Sequence, residues 1–105
     1  MTVGDLYWVE LPVRGGRAQA GRRPAIILQT VSTLPTTLLV TLTTQLDALR
    51  FPGTILVESD PENGLRRPSV ALVFQLTAVD NRFITDRMGN VSAPVLEELF
   101  LHSMH

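Results

Sequence analysis

The sequence contains no cysteine and no lysine, and its two histidines, His102 and His105, fall within the last four positions. Without cysteine, disulfides and thiolate metal sites are excluded. An acid–base site built on paired imidazoles needs two rings facing each other across a cleft; two histidines at one end read instead as exposed side chains. Neither HExxH nor a cluster of acids at ligand spacing is present. Asp60 and Glu62 share one turn and read as solvated, so no catalytic metal is expected. The absence of GxxxxGK[ST] and GxGxxG leaves nucleotide hydrolysis unsupported, with Gly15, Gly16 and Gly21 read as loop flexibility, and no cofactor is expected. No apolar run approaches bilayer length, and the opening MTVGDLYWVELP lacks the basic start and apolar stretch of a signal peptide. The expected location is the cytoplasm, without membrane association.

What is present is enough aliphatic side chain to fill one core. A chain of 105 residues with 45% apolar and 18% charged residues suits one compact domain, residues 1–105, rather than disorder or two cores. The formal net charge of −1 argues against a protein that holds nucleic acid by bulk attraction alone. All nine basic residues, however, are arginine, and Arg14, Arg17, Arg22 and Arg23 lie in a ten-residue stretch free of acids. A guanidinium grips phosphate through two parallel N–H bonds where an ammonium offers a point charge, so a local phosphate site is compatible with a neutral whole.

Turn signals divide the chain into short segments that read mostly as strands, with no internal repeat. Residues 5–11 (DLYWVEL) form a first strand, and a long loop follows from Pro12 to Arg23. Pro24 then opens the buried strand AIILQ. In residues 37–43 Leu38, Val40 and Leu42 share a core face and Thr37, Thr41 and Thr43 a polar one. Residues 44–49 suit a helical turn before Pro52-Gly53, residues 54–58 a strand, and DPENG at 60–64 a turn. The alternation from Ser69 to Val79 predicts one strand, with Val70, Leu72, Phe74, Leu76 and Ala78 on its core side. A turn at residues 80–82 and a short strand over 83–88 follow. A helix starts at Ser92 as N-cap, with Leu96, Leu99, Phe100, Ser103 and Met104 along one stripe. The expected architecture is a mostly antiparallel sheet or small barrel closed by one helix.

The chemistry that remains is that of guanidinium, hydroxyl and amide. RNA can be cut by its own 2′-hydroxyl, which already lies beside the phosphorus; the protein must then stabilise an anionic phosphorane and help move protons. Arg23, held at a loop-to-strand junction by Pro24, suits the first task, and Thr43 on a polar strand face suits orientation of the phosphate. Pattern alone also allows a solvated surface arginine and an ordinary strand-forming threonine.

Gly4-Asp5-Leu6-Tyr7-Trp8-Val9-Glu10-Leu11, then Gly21-Arg22-Arg23-Pro24-Ala25-Ile26-Ile27-Leu28-Gln29, resemble the opening of the MazF/PemK/Kid toxin family. Leu42-Thr43-Thr44-Gln45, Asn63-Gly64-Leu65 with Ser69-Val70-Ala71-Leu72, and the segment from Gln75 to Arg82 extend the likeness, in the same order, along nearly the whole chain. The resemblance implies an SH3-like, strongly bent antiparallel barrel with a C-terminal helix, mainly β. It implies a homodimeric, metal-independent endoribonuclease (mRNA interferase) cutting single-stranded RNA, with a cognate antitoxin whose flexible acidic tail covers the RNA groove. Carried over by position, the catalytic pair is Arg23 and Thr43, Arg22 being the neighbour that the Arg-Pro alignment passes over. A guanidinium stays protonated, so Arg23 is assigned to transition-state charge and to proton donation rather than to general base catalysis.

Further RNA contacts are expected from Arg14, Arg17, Gln19, Arg22, Gln45 and Gln75, the arginines on phosphate and the amides on base edges. The alternatives are solvated loop charges and amides that satisfy backbone groups. Asp5, Tyr7, Trp8 and Glu10 read as structural. Phe74 stands where many family members carry an acid, and alternation places it on the core side, which implies an altered RNA preference. Two rival functions are a CcdB-like gyrase poison, which needs no site arginine or threonine, and an SH3-like module that binds RNA or peptide without turnover.

Overall fold

The computed structural model describes residues 1–11 and 21–103. Most of the expected loop, with Arg14, Arg17 and Gln19, lies outside the described residues, as do Met104 and His105. The described strands are β1 (Asp5–Leu11), β2 (Gly21–Thr30), β3 (Thr36–Thr43), β4 (Thr54–Val57), β5 (Ser69–Leu72), β6 (Thr77–Asp80) and β7 (Ile84–Asn90), and α1 (Ala93–Ser103) follows. They form a sheet in the order β4-β5-β3-β2-β1-β7, with β6 paired to β3 off this path. All pairings are antiparallel.

β3 sets the bend. One of its edges pairs with β2, while the other pairs with β6 over Thr36–Leu39 and with β5 at Leu42 and Thr43. Between those partners the register advances by three residues, taken up by a 3₁₀ turn over Val73–Gln75. The single strand expected over 69–79 is therefore two. Leu72 leaves the extended conformation (φ −93°, ψ 75°), and the Phe74 N–H donates to the Gly53 carbonyl at 3.1 Å instead of continuing the ladder. Alternation fails from that point: Phe74 is 56% exposed, Leu76 and Ala78 are exposed, and Val73 and Val79 are buried. The core-side placement of Phe74 is thus corrected.

A sheet bent this far buries both faces. Leu6, Ile26, Leu28, Val40, Leu42, Ile55, Val57 and Leu99 belong to one core, and Val9, Ala25, Ile27, Leu39 and Val79 to a second on the opposite side of the same strands. The face of β3 read as polar is covered: Thr37 and Thr41 are buried, and the Thr37 hydroxyl donates to Asn81 Oδ1 at 2.6 Å. Thr43, at the strand's end, keeps partial exposure.

β2 begins at Gly21, three residues earlier than expected, so Pro24 lies within it. Pro24 pairs with Trp8 of β1, and the ladder to β3 starts at the next residue, which suits a residue without an N–H. The helix is capped as predicted: the Ser92 hydroxyl accepts from the Val95 N–H at 3.4 Å, and the first turn closes with Leu96 N–H on the Ser92 carbonyl at 3.0 Å. Leu99 is fully buried, with Val95, Leu96 and Met88 packed around the first core.

Candidate active site

Arg23 and Thr43 come from adjacent strands. The β2–β3 ladder ends at Ala25 opposite Thr41; Arg23 and Thr43, both half-buried, each lie two residues beyond that pair, on the strand face that it shares. Directly opposed residues of an antiparallel pair point to the same side, which brings two residues twenty positions apart in sequence to one face. The Thr43 hydroxyl oxygen accepts the Gln45 N–H at 3.1 Å. That bond occupies one lone pair and fixes the oxygen, leaving the hydroxyl proton free to be donated. Gln45, exposed, begins the 3₁₀ turn Leu46–Arg50 at the same end of the sheet. Gln75, half-buried, stands on the turn where β3 changes partners, across β3 from β2.

Arg22 faces the other way. Its guanidinium carbon sits 4.2 Å from the centroid of the Trp8 ring, and its Nη2 donates to Asp86 Oδ2 at 3.2 Å. On that side lies a cavity of about 870 Å³, lined by Trp8, Arg22, Pro24, Thr44, Gly64, Leu65, Arg66, Arg67, Ser69, Asp86, Arg87 and Met88. Arg87 is anchored to the buried carboxylate of Asp5 at 3.2 Å. Ion pairs as exposed as Arg22–Asp86 contribute about 0–1 kcal/mol, so this contact is easily exchanged for another.

The segment carrying Arg66 and Arg67 is fixed by its own turn. The Asn63 side chain, 1% exposed, accepts from the N–H groups of Asp60 at 3.2 Å and Leu65 at 2.9 Å and donates to the Glu58 carbonyl at 2.8 Å. Asp60 Oδ1 accepts in turn from the N–H groups of Glu62 at 2.9 Å and Asn63 at 2.8 Å. These two side chains hold a turn together, which gives Asp60 a structural task. Gly64, at φ +75°, and Gly89 let that turn rest on β7. A Cβ at Gly64 would meet the Met88 carbonyl oxygen at 2.5 Å, and one at Gly89 the Glu62 carbonyl oxygen at 2.1 Å. Among the described residues, no three of His, Cys, Asp or Glu come together as a metal-binding group.

Residues 2–101 match the profile of the PemK-like, MazF-like toxins of type II toxin-antitoxin systems. The chain belongs to that family. Endoribonuclease MazF6 of Mycobacterium tuberculosis (strain H37Rv) is 27% identical over 99 residues, spanning 90% of this chain and 86% of its own. Endoribonuclease EndoA of Bacillus subtilis (strain 168) is 24% identical over 99 residues, spanning 91% of this chain and 84% of its own. The fold is similar to that of crystalline MazF from Deinococcus radiodurans, with a TM-score of 0.78 at 21% identity over 96% of this chain and 90% of that one.

Of the residues expected to serve a MazF-like site, Thr43 and Gln45 are hydrogen-bonded, Arg23 lies beyond the same end of the β2–β3 ladder, and Arg22 turns to Trp8 and Asp86. Sequence reasoning assigned no role to the cavity's Arg66, Arg67, Asp86 and Arg87, and took Trp8 as structural. One signal was there to be read: Arg-Arg-Pro occurs twice, at 22–24 and at 66–68.

Proposed function

We propose that this chain, acting as a single domain, is the toxin of a toxin–antitoxin pair and a metal-independent endoribonuclease specific for sequence in single-stranded RNA. What supports the reading is a β2–β3 ladder that ends at Ala25 opposite Thr41, with Arg23 and Thr43 each two residues beyond it, in a chain of the MazF-like family. The RNA's 2′-oxygen attacks the adjacent phosphorus as its proton passes to solvent water, the bond from phosphorus to the 5′-oxygen breaks, and the products are a 2′,3′-cyclic phosphate and a 5′-hydroxyl. Arg23 offers paired N–H donors to the phosphorane oxygens as negative charge builds on them and donates a proton toward the leaving oxygen, to be replaced from water. The Thr43 hydroxyl, its oxygen held by the Gln45 N–H, donates to a non-bridging oxygen and keeps the phosphate in line. Gln45 and Gln75 offer amides to base edges, and Arg22, with Arg14, Arg17 and Gln19 of the loop, completes the RNA contacts.

No helix among the described residues is long and apolar enough to cross a membrane, and the proposed working location is the cytoplasm, where messenger RNA is met. The partners are a second copy of the chain and an antitoxin with an acidic, flexible segment. A solved structure of similar fold, with a TM-score of 0.62 at 16% identity, is that of a mycobacterial endoribonuclease in complex with its cognate antitoxin.

The test is incubation of purified protein with a long single-stranded RNA and its DNA counterpart in excess chelator, with Arg23→Ala and Thr43→Ala alongside, followed by mapping of ends. Cuts at a recurring short RNA sequence, sparing DNA and lost in both variants, are expected. Intact RNA of varied sequence, from folded protein, would contradict the proposal and turn the search to a protein target.

A further inference from the structure

We infer that the cavity behind the Arg23–Thr43 pair is a second RNA subsite, taking a nucleotide that flanks the cleaved bond, with its base on Trp8 and its phosphates on Arg66, Arg67 and Arg87. The inference rests on the ribonuclease reading and extends it to substrate length.

Charge is the first argument. The lining residues include four guanidiniums and one carboxylate, in a chain whose formal net charge is −1. Arg66 and Arg67 are exposed and have no ion-pair partner among the described residues. Their backbone follows directly on the 60–64 turn, which is held by Asn63 and seated on β7 at Gly64 and Gly89. Exposed guanidiniums without an ion-pair partner, carried on an anchored stretch of backbone, are what a phosphate backbone neutralises.

The indole is the second. Trp8 is half-buried, and its ring face is already occupied by a planar cation, the Arg22 guanidinium at 4.2 Å. A nucleobase offers a larger flat surface to the same face, and the guanidinium it displaces can stay on Asp86 or move to the incoming phosphate. An acidic peptide would satisfy the arginines but leave the indole without a ring to stack on.

Placement is the third. Pro24 and Thr44 line the cavity, and each is the chain neighbour of a member of the proposed catalytic pair. The cavity therefore begins one residue along the chain from Arg23 and from Thr43, with Pro24 on the other face of β2 and Thr44 just past the end of β3. An RNA that turns over the ends of β2 and β3 meets both.

The experiment compares a short RNA holding only the mapped cleavage sequence with the same sequence extended by several nucleotides at either end. Wild-type kcat/KM should be about tenfold higher on one extended RNA, a modest stacking advantage, and in Arg66→Ala/Arg67→Ala this ratio should fall toward one. Trp8 is the single tryptophan, so its fluorescence should be quenched by an extended RNA made uncleavable with one 2′-deoxy nucleotide, and not by the short one. Equal rates on short and extended RNA, or an advantage that survives in the double variant, would overturn the subsite. So would a double variant that loses affinity for a glutamate-rich peptide while keeping the RNA length advantage; the cavity would then be a docking site for an acidic protein segment. If wild-type protein cuts no RNA, it is the reading of Arg23 and Thr43 that fails, and quenching of Trp8 by a long single-stranded RNA, present in wild type and lost in Arg66→Ala/Arg67→Ala, still decides the subsite.

Discussion

Neighbouring residues of β2 do different work because a strand alternates its faces. Arg22 turns to Trp8 and Asp86, while Arg23 lies on the alternate face, two residues from the Ala25–Thr41 pair as Thr43 is. Removing one preorganised donor to a developing oxyanion typically costs 10²–10³-fold in kcat, so Arg23→Ala should slow single-turnover cleavage by about that factor with little change in RNA affinity. Arg23→Lys keeps the charge and loses the planar fork; a rate well below wild type is expected, whereas near-full activity would show that bidentate geometry is not used. Thr43→Ser should retain most activity and Thr43→Val little, since the hydroxyl rather than the methyl is the working group. At this scale the sequence was informative where a residue's neighbours are diagnostic, as in Arg23-Pro24 and Thr43-x-Gln45. It was uninformative for Trp8, Arg66, Arg67 and Arg87, whose convergence depends on β1, β7 and a turn far apart in the chain.

Among elements, the bent strand β3 and the turn over 60–64 determine how the site is assembled. Period-two reading of β3 identified its strand character and the core positions Val40 and Leu42, but it assigned Thr37 and Thr41 to a polar surface. Alternation shows which side chains share a face; whether that face meets water depends on the fold of the whole sheet, which here encloses a second core around Leu39 and Val79. The break at Val73–Gln75 was hidden for a related reason. Phe74 and Gln75 continue the alternation of apolar and polar positions, and what stops the strand is the bond from Phe74 to Gly53 together with the change of partner along β3. Helix α1, by contrast, carried its own cap and was found where expected, with Leu99 buried and Leu96 packed on the core; of the expected stripe Phe100 is exposed, and Val95 packs on the core as well. The turn over 60–64 gives the test at this scale. Because a methyl at Gly89 would stand 2.1 Å from the Glu62 carbonyl oxygen, backbone must move to admit it. Gly89→Ala should destabilise the fold by about 2–4 kcal/mol in urea unfolding, by forced backbone displacement and lost packing, and should loosen the Arg66–Arg67 segment with it. A change below ~0.5 kcal/mol would mean that turn and strand are not interlocked.

For the whole molecule, a net charge near zero coexists with local concentration of arginine. Binding of single-stranded RNA should therefore weaken steeply with salt, with a slope of roughly −0.7 in log–log form for each phosphate neutralised, despite the slightly negative total. A slope near zero would mean that phosphates are not gripped. The toxin reading also predicts a particle of twice the chain's mass by sedimentation, shifted to a larger one by its antitoxin.

The most direct test of the central claim is cleavage, in excess chelator, of one RNA carrying a single 2′-deoxy nucleotide immediately 5′ to the mapped bond. The attacking oxygen is the only group removed, so cutting at that bond should stop while other occurrences of the same sequence in the strand are still cut to 2′,3′-cyclic phosphate ends. Continued cleavage at the 2′-deoxy position would mean that another nucleophile attacks, and the roles given to Arg23 and Thr43 in assisting the RNA's own hydroxyl would be wrong.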